Sequence, residues 1–117
     1  MQKTFEIKNK ATAEHYNWGH GCDGWHLLKD KNLSVIHEFV PPGKSEIRHH
    51  HEKSRQMFFI LKGQASIEID GEEFILKETD SIEVPPLVPH QLFNKTNANL
   101  EFLVISQPPS HGDRIVE

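Results

Sequence analysis

Cysteine, clustered basic residues and long apolar runs are scarce in this sequence, and each absence excludes a class of protein. Cys22 is the only cysteine, which excludes an internal disulfide framework and predicts a reducing, cytoplasmic location. No apolar run approaches the roughly 20 residues that a membrane-spanning helix needs. The formal net charge is −4 and no basic patch stands out, so we expect neither nucleic acid nor an anionic membrane as a partner.

The length of the chain sets its domain organisation. The 117 residues suffice for one hydrophobic core, and we predict a single domain over residues 1–117. Residues 33–106 form its predicted core, and residues 1–30 form an aromatic, glycine-containing extension of loop or strand. The first ten residues are polar and charged, so we expect neither a signal peptide nor a membrane span there.

After residue 30 the sequence has the pattern of short strands joined by turns. Residues 33–40 alternate between two faces, and residues 57–63 (MFFILKG) are apolar on both, which is typical of a doubly buried strand or a dimer contact. Asp70-Gly71 is typical of a type I′ hairpin turn. No sustained 3.6-residue period occurs in this region. The pattern predicts an all-β fold, a single small antiparallel β-barrel or sandwich.

Nine histidines are present, and three of them are consecutive. In a strand His49 and His51 point to one face and His50 to the other, so the first two can ligate one ion. Gln56 opens the next strand, where it shares a face with Phe58 and Ile60. His90 follows the bend VPPLVP, in which proline fixes the backbone and can hold a further ligand still. A solvated histidine cluster is the alternative, and the spacing of the surrounding residues decides between them.

Two sets of spaced residues enclose these histidines. The first set consists of Gly43, His49, His51, Gln56 and Gly63, and the second of Thr79, Asp80, Pro85, Leu87, His90 and Asn94. Their spacing resembles the two motifs of the cupin family over about residues 33–106. The chain departs from the family pattern at Gln56, where the family has Glu, and at Thr79 and Leu87, where it has Gly.

The resemblance implies a jelly-roll β-barrel that binds one divalent transition metal. His49, His51, Gln56 and His90 are the implied ligands at its mouth. Neutral nitrogen-rich ligands suit Fe, Zn, Ni, Cu, Co or Mn, and the sequence does not choose among them.

Gln56 changes the electrostatics of the implied site. With four neutral ligands the ion keeps its full charge, so anionic substrates are expected to bind more readily and a bound water to be more acidic. The alternative is that Gln56 only hydrogen-bonds a water or a ligand imidazole, which leaves a three-histidine face with open positions.

The strand alternation also predicts a substrate pocket for a small-molecule ligand. Phe58 and Ile60 follow Gln56 in phase, Leu92 follows His90, and His37 is placed on the inward face of its strand. No catalytic residue is assigned. These residues are equally typical of a barrel core that binds nothing.

Fold alone does not give a reaction. We predict a metal-dependent dioxygenase acting on a small anionic or oxygenated substrate, because no carboxylate general base is evident near the ligands. A sugar or sugar-phosphate isomerase or lyase that uses the metal as a Lewis acid is the first alternative. A non-catalytic ligand-binding module is the second. The resemblance further implies a homodimer.

Overall fold

The computed structural model describes residues 4–117, which form two antiparallel sheets and contain no helix. The strands are β1 (Glu14–Trp18), β2 (Cys22–Lys29), β3 (Ser34–Val40), β4 (His49–His51), β5 (Arg55–Lys62), β6 (Ala65–Ile69), β7 (Glu72–Leu76), β8 (Ser81–Val84), β9 (His90–Phe93), β10 (Leu100–Gln107) and β11 (Arg114–Val116). The described residues accordingly offer no helix that could cross a membrane.

One sheet has six strands in the order β1-β2-β3-β10-β5-β8, and the other has five in the order β11-β4-β9-β6-β7. The chain crosses repeatedly from one sheet to the other, which gives a jelly roll. This confirms the predicted all-β fold. The two sheets stay separate instead of closing into one continuous barrel. The space between them holds both the core and the candidate site.

The core is formed by side chains from the inner faces of both sheets. Val40, Ile60 and Phe102 from the six-stranded sheet are at most 1% exposed, as are Ile67 and Leu92 from the five-stranded sheet. Removing this apolar surface from water is the main favourable contribution to folding. The alternation of β5 and β9 is as predicted, with Phe58, Ile60 and Leu92 all inward and buried.

The residues of β3 that face the core are the alternate set to the one predicted. Glu38 is in register with the buried Phe102 of β10, whereas His37 is in register with Leu103 and Trp25 on the outer face. The prediction that His37 faces the pocket is therefore wrong. Both faces of β3 carry apolar residues, so their pattern does not fix the phase, and a shift of one residue exchanges the faces.

The aromatic N-terminal stretch forms β1 and β2, which extend the six-stranded sheet at one edge. Tyr16, Gly24 and Glu38 are aligned across β1, β2 and β3. A Cβ at Gly24 would lie 2.3 Å from the Tyr16 ring. Gly24 therefore lets the tyrosine ring lie flat across β2 and reach β3.

Among residues 4–117, three non-glycine residues have left-handed backbone: Asp70 at φ 51°, Thr79 at 71° and Leu87 at 72°. Asp70 with Gly71, at φ 91°, forms the predicted turn between β6 and β7. Thr79 and Leu87 stand where the two motif glycines were expected, so the turns keep a glycine-like backbone without glycine. Such a backbone costs an L-residue about 1–2 kcal/mol.

We expect Thr79→Gly to raise the free energy of unfolding by about 1 kcal/mol, because relief of the left-handed strain exceeds the entropy cost of glycine. In a chain of this size the midpoint of thermal unfolding should rise by about 4 °C. The exposed Lys77 in the same turn has no left-handed backbone, so Lys77→Gly is the control and should destabilise. A lower unfolding midpoint for Thr79→Gly than for the parent chain would contradict the claim that the Thr79 backbone is strained.

Candidate metal centre

Three histidines converge between the two sheets. His49 on β4 is in register with His90 on β9, and His51 is two residues further along β4. Their ring centroids are separated by 4.5 Å (His49–His90), 4.9 Å (His49–His51) and 5.8 Å (His51–His90). One nitrogen from each ring lies within 4.8 Å of the others, an arrangement compatible with holding one metal ion.

The consecutive histidines divide between faces as predicted. His49 and His51 are each 4% exposed and point inward. His50 is in register with Ile115 of β11 and contacts the carboxylate of Glu117 on the other side of the strand. Only the alternate pair joins His90.

Each of the three inward histidines is oriented by a backbone carbonyl. Nδ1 of His49 donates to the oxygen of Ile47 at 2.7 Å, and Nδ1 of His90 donates to that of Val88 at 3.0 Å. The longer bond from Nδ1 of His51, at 3.2 Å, reaches Asp113 near the chain's C-terminal strand. These bonds leave Nε2 of each ring free of its proton, which is the form that ligates a metal.

Gln56 is a buried neutral side chain whose amide is held by one hydrogen bond. Its amide Nε2 donates to Oγ of Ser106 at 3.0 Å, which fixes the direction of the amide. The amide oxygen Oε1 is buried without a hydrogen-bond partner, and so are Nε2 of His51 and Nε2 of His90. Buried polar atoms usually have partners. The two unpartnered ring nitrogens of the cluster therefore fit a bound cation.

Burial lowers the pKa of all three histidines. The pKa of His49 falls to about 3, with smaller contributions from the nearby charges of His90, Arg114 and His51. The pKa values of His51 and His90 are lowered as well, again chiefly by burial. The rings are therefore neutral near pH 7, as metal ligation requires.

The residues expected to line a pocket lie in different places. The Phe58 ring is 6.1 Å from the His90 ring and forms a wall of the cluster. Ile60 and Leu92 are 0% and 1% exposed, in the apolar core. His37 lies outside, with its Nε2 2.8 Å from Oε1 of Glu101.

Two carboxylates that the sequence analysis did not assign also face the space between the sheets. Glu38 is partly buried, and its Oε2 accepts a hydrogen bond from the Tyr16 hydroxyl at 2.9 Å. Burial raises the pKa of Glu38 to about 7, against the lowering effects of Tyr16 and Arg114. Glu46, 14% exposed, lies 4.0 Å from Nδ1 of His49 and accepts the backbone N–H of Leu92 at 2.9 Å. Sequence proximity gave no indication of the Tyr16–Glu38 pair, which joins residues 22 positions apart.

Comparison with known proteins supports the family resemblance. Residues 36–106 match the family model described as "Cupin domain". The chain belongs to the cupin family. It is 35% identical over 88 residues to the uncharacterised protein MJ1618 of Methanocaldococcus jannaschii, covering 74% of this chain and 70% of that protein.

Solved cupin structures have the same fold. KdgF from Halomonas sp. superposes with a TM-score of 0.82 at 16% identity, covering 91% of this chain and 96% of that one. An RmlC-like cupin from Shewanella frigidimarina has a TM-score of 0.81 at 20% identity, with 96% and 98% covered. At these identities the likeness concerns the fold alone.

The Glu38 carboxyl should titrate near pH 7, because its burial disfavours the ionised form. Tyr16→Phe removes a hydrogen bond that favours the carboxylate, so the Glu38 pKa should rise further. Carbon-13 NMR of the glutamate carboxyl carbons checks both values, with Glu38→Gln to assign the signal. A Glu38 pKa near that of an exposed glutamate would contradict its burial. A lower Glu38 pKa in Tyr16→Phe than in the parent chain would contradict the hydrogen bond from Tyr16.

Proposed function

We propose that this cupin is an enzyme that uses one divalent transition metal as a Lewis acid for proton transfer on a small oxygenated, anionic substrate. The observation that carries the proposal is the buried three-histidine cluster, in which Nε2 of His51 and Nε2 of His90 have no hydrogen-bond partner. The ligands proposed are His49, His51 and His90 through Nε2 and Gln56 through Oε1. The ion is one of Fe, Zn, Ni, Cu, Co or Mn.

Gln56 supports an anionic substrate. All four proposed ligands are uncharged, so a divalent ion would keep its +2 charge and would polarise a carbonyl or hydroxyl oxygen strongly. The amide nitrogen of Gln56 is occupied by its hydrogen bond to Ser106, which leaves the amide oxygen as the atom available to a cation. A carboxylate in place of Gln56 would offset part of that charge and repel an anion.

Glu38 supports proton transfer as the reaction class. Glu38 projects from β3 on the same face as Ile36. Ile36 is in register with Val104 of β10, and Val104 is in register with Phe58 of β5. The Phe58 ring lies beside that of His90. A carboxyl that titrates near pH 7 can accept and return a proton under ordinary conditions. In the proposed reaction Glu38 takes a proton from a substrate carbon next to a carbonyl and returns it to another atom, while Tyr16 holds the carboxyl in place.

This assignment changes the order of the two enzymatic alternatives. The dioxygenase prediction was based on the lack of a carboxylate base near the ligands, and we propose Glu38 as that base. An isomerase or lyase is therefore the first proposal. Dioxygenase chemistry is the second, favoured by the neutral amide ligand, which binds weakly and could leave a position for dioxygen. A non-catalytic ligand-binding module is the remaining alternative.

Metal binding is the first test. The purified chain, without a histidine tag, should contain about one equivalent of transition metal by plasma mass spectrometry. Gln56→Ala should weaken Co²⁺ binding roughly 10-fold or more, since even residues that only support a ligand contribute 10- to 100-fold. Gln107→Ala is the matched control, because Gln107 lies exposed on β10 and bonds Arg55 instead. Equal affinities for the two variants would remove Gln56 from the ligand set.

The reaction class is tested with the metal-loaded protein and a panel of small hydroxy- and keto-acids in deuterated water. Proton transfer predicts exchange of the substrate C–H for deuterium without oxygen uptake, and Glu38→Gln should abolish the exchange while metal content is unchanged. Oxygen consumption without exchange would favour the dioxygenase instead. If the protein binds an acid tightly but catalyses neither reaction, the ligand-binding module is the remaining function.

A homodimer and a cytoplasmic location are parts of the same proposal. Met57 and Leu61 of β5 are 36% and 40% exposed on the outer face of the six-stranded sheet, which offers an apolar surface for a second copy. Sedimentation velocity should give the mass of two chains, and Met57→Glu should shift it to one. Ile75→Glu, at a residue 51% exposed on the other sheet, should leave the dimer intact. A monomeric parent chain would contradict this expectation.

A further inference from the structure

The C-terminal segment, defined as residues 113–117, is bound along the strand that carries two of the histidines. Its strand β11 pairs with β4, with Arg114 opposite His51 and Val116 opposite His49. The backbone N–H of Glu117 donates to the oxygen of Arg48 at 3.0 Å. This segment therefore covers the whole length of β4 on one edge.

Asp113 holds the turn between β4 and β5. Its carboxylate accepts three consecutive backbone N–H groups, from Glu52 and Lys53 at 3.0 Å each and from Ser54 at 2.9 Å. These residues connect His51 to the strand of Gln56, so the path between two proposed ligands is fixed by one side chain. Burial alone would raise the pKa of Asp113, but the three amides outweigh it and lower the pKa.

The same residue orients His51. His49 and His90 donate Nδ1–H to carbonyls two residues before them in sequence, in the segments that lead into their own strands. His51 donates to the Asp113 carbonyl, 62 residues away in sequence. His51 is thus the one histidine of the cluster whose orientation depends on a distant segment.

We propose that Asp113 is a positioning residue of the metal centre, which it completes by anchoring its own carbonyl against His51 and fixing the turn that leads to Gln56. This inference rests on the metal site of the proposed function. Without the carboxylate, the Asp113 carbonyl loses its anchor, His51 loses a fixed acceptor, and Nε2 is no longer held toward the other two rings. The ligand set then has to be ordered when the metal binds, which lowers affinity.

The test compares Asp113→Ala with Asp80→Ala in the full chain. Asp80 also caps a turn, accepting the N–H of Lys77 at 2.8 Å, but its carboxylate has no bond to the histidine strands. We expect Asp113→Ala to weaken Co²⁺ binding by about 10- to 100-fold and to change the visible spectrum of the bound ion. Asp80→Ala should keep the affinity and spectrum of the parent chain. Asp113→Asn, which retains one acceptor oxygen, should lie between them.

Nitrogen-15 NMR of histidine-labelled, metal-free protein provides a second readout. The parent chain and Asp80→Ala should show His51 protonated at Nδ1 alone, whereas Asp113→Ala should show a mixture of the two tautomers. Unchanged Co²⁺ affinity together with an unchanged tautomer in Asp113→Ala would overturn the positioning role. If the parent chain binds no Co²⁺ but the tautomer of His51 still depends on Asp113, the proposed function fails and the orientation of His51 by Asp113 stands.

Discussion

The donation of three imidazole Nδ1–H groups to backbone carbonyls is the constraint on which the site depends. The acceptors are the oxygens of Ile47, Val88 and Asp113. Each bond leaves Nε2 of the ring unprotonated. Nε2 of His51 and Nε2 of His90 are buried without a partner, and such an acceptor costs about 1–3 kcal/mol. The apolar core on both sheets has to offset that cost. A cation shared by these nitrogens would remove it, so stability and metal affinity are coupled at this cluster.

The loop that leads into β9 and His90 is strained as well as ordered. Leu87 has a left-handed backbone two residues after Pro85 and three before His90. Its N–H donates to the oxygen of His51 at 2.6 Å, which ties the loop before β9 directly to β4. Strain of this kind persists where the surroundings over-determine the conformation, and it is concentrated at functional sites. Here it holds the third histidine against the other two.

Much of the site was predictable because it depends on local alternation and fixed spacing. His49, His51 and His90 needed only the period of a strand and two spaced motifs, and the buried unpartnered oxygen of Gln56 is compatible with its predicted position. The failure at His37 has a physical cause, since β3 has apolar residues on both faces and its phase is set by its neighbours in the sheet. Tyr16 and Asp113 reach the site across 22 and 62 residues of sequence. Contacts of that range follow from strand order, which the pattern of a single strand does not encode.

In the proposed site, metal binding and proton transfer are assigned to different residues. The four proposed ligands are uncharged, whereas the carboxyl of Glu46 lies 4.0 Å from Nδ1 of His49 and that of Glu38 bonds Tyr16. Arg114, whose guanidinium donates to the oxygen of Ile47 at 3.3 Å, lowers the pKa of both carboxyls, although burial raises them more. A proton can therefore be exchanged at Glu38 without changing the charge on any ligand. The polarising power of a bound cation and the protonation state of the base would then vary independently, which is the condition for acid–base chemistry beside a Lewis acid.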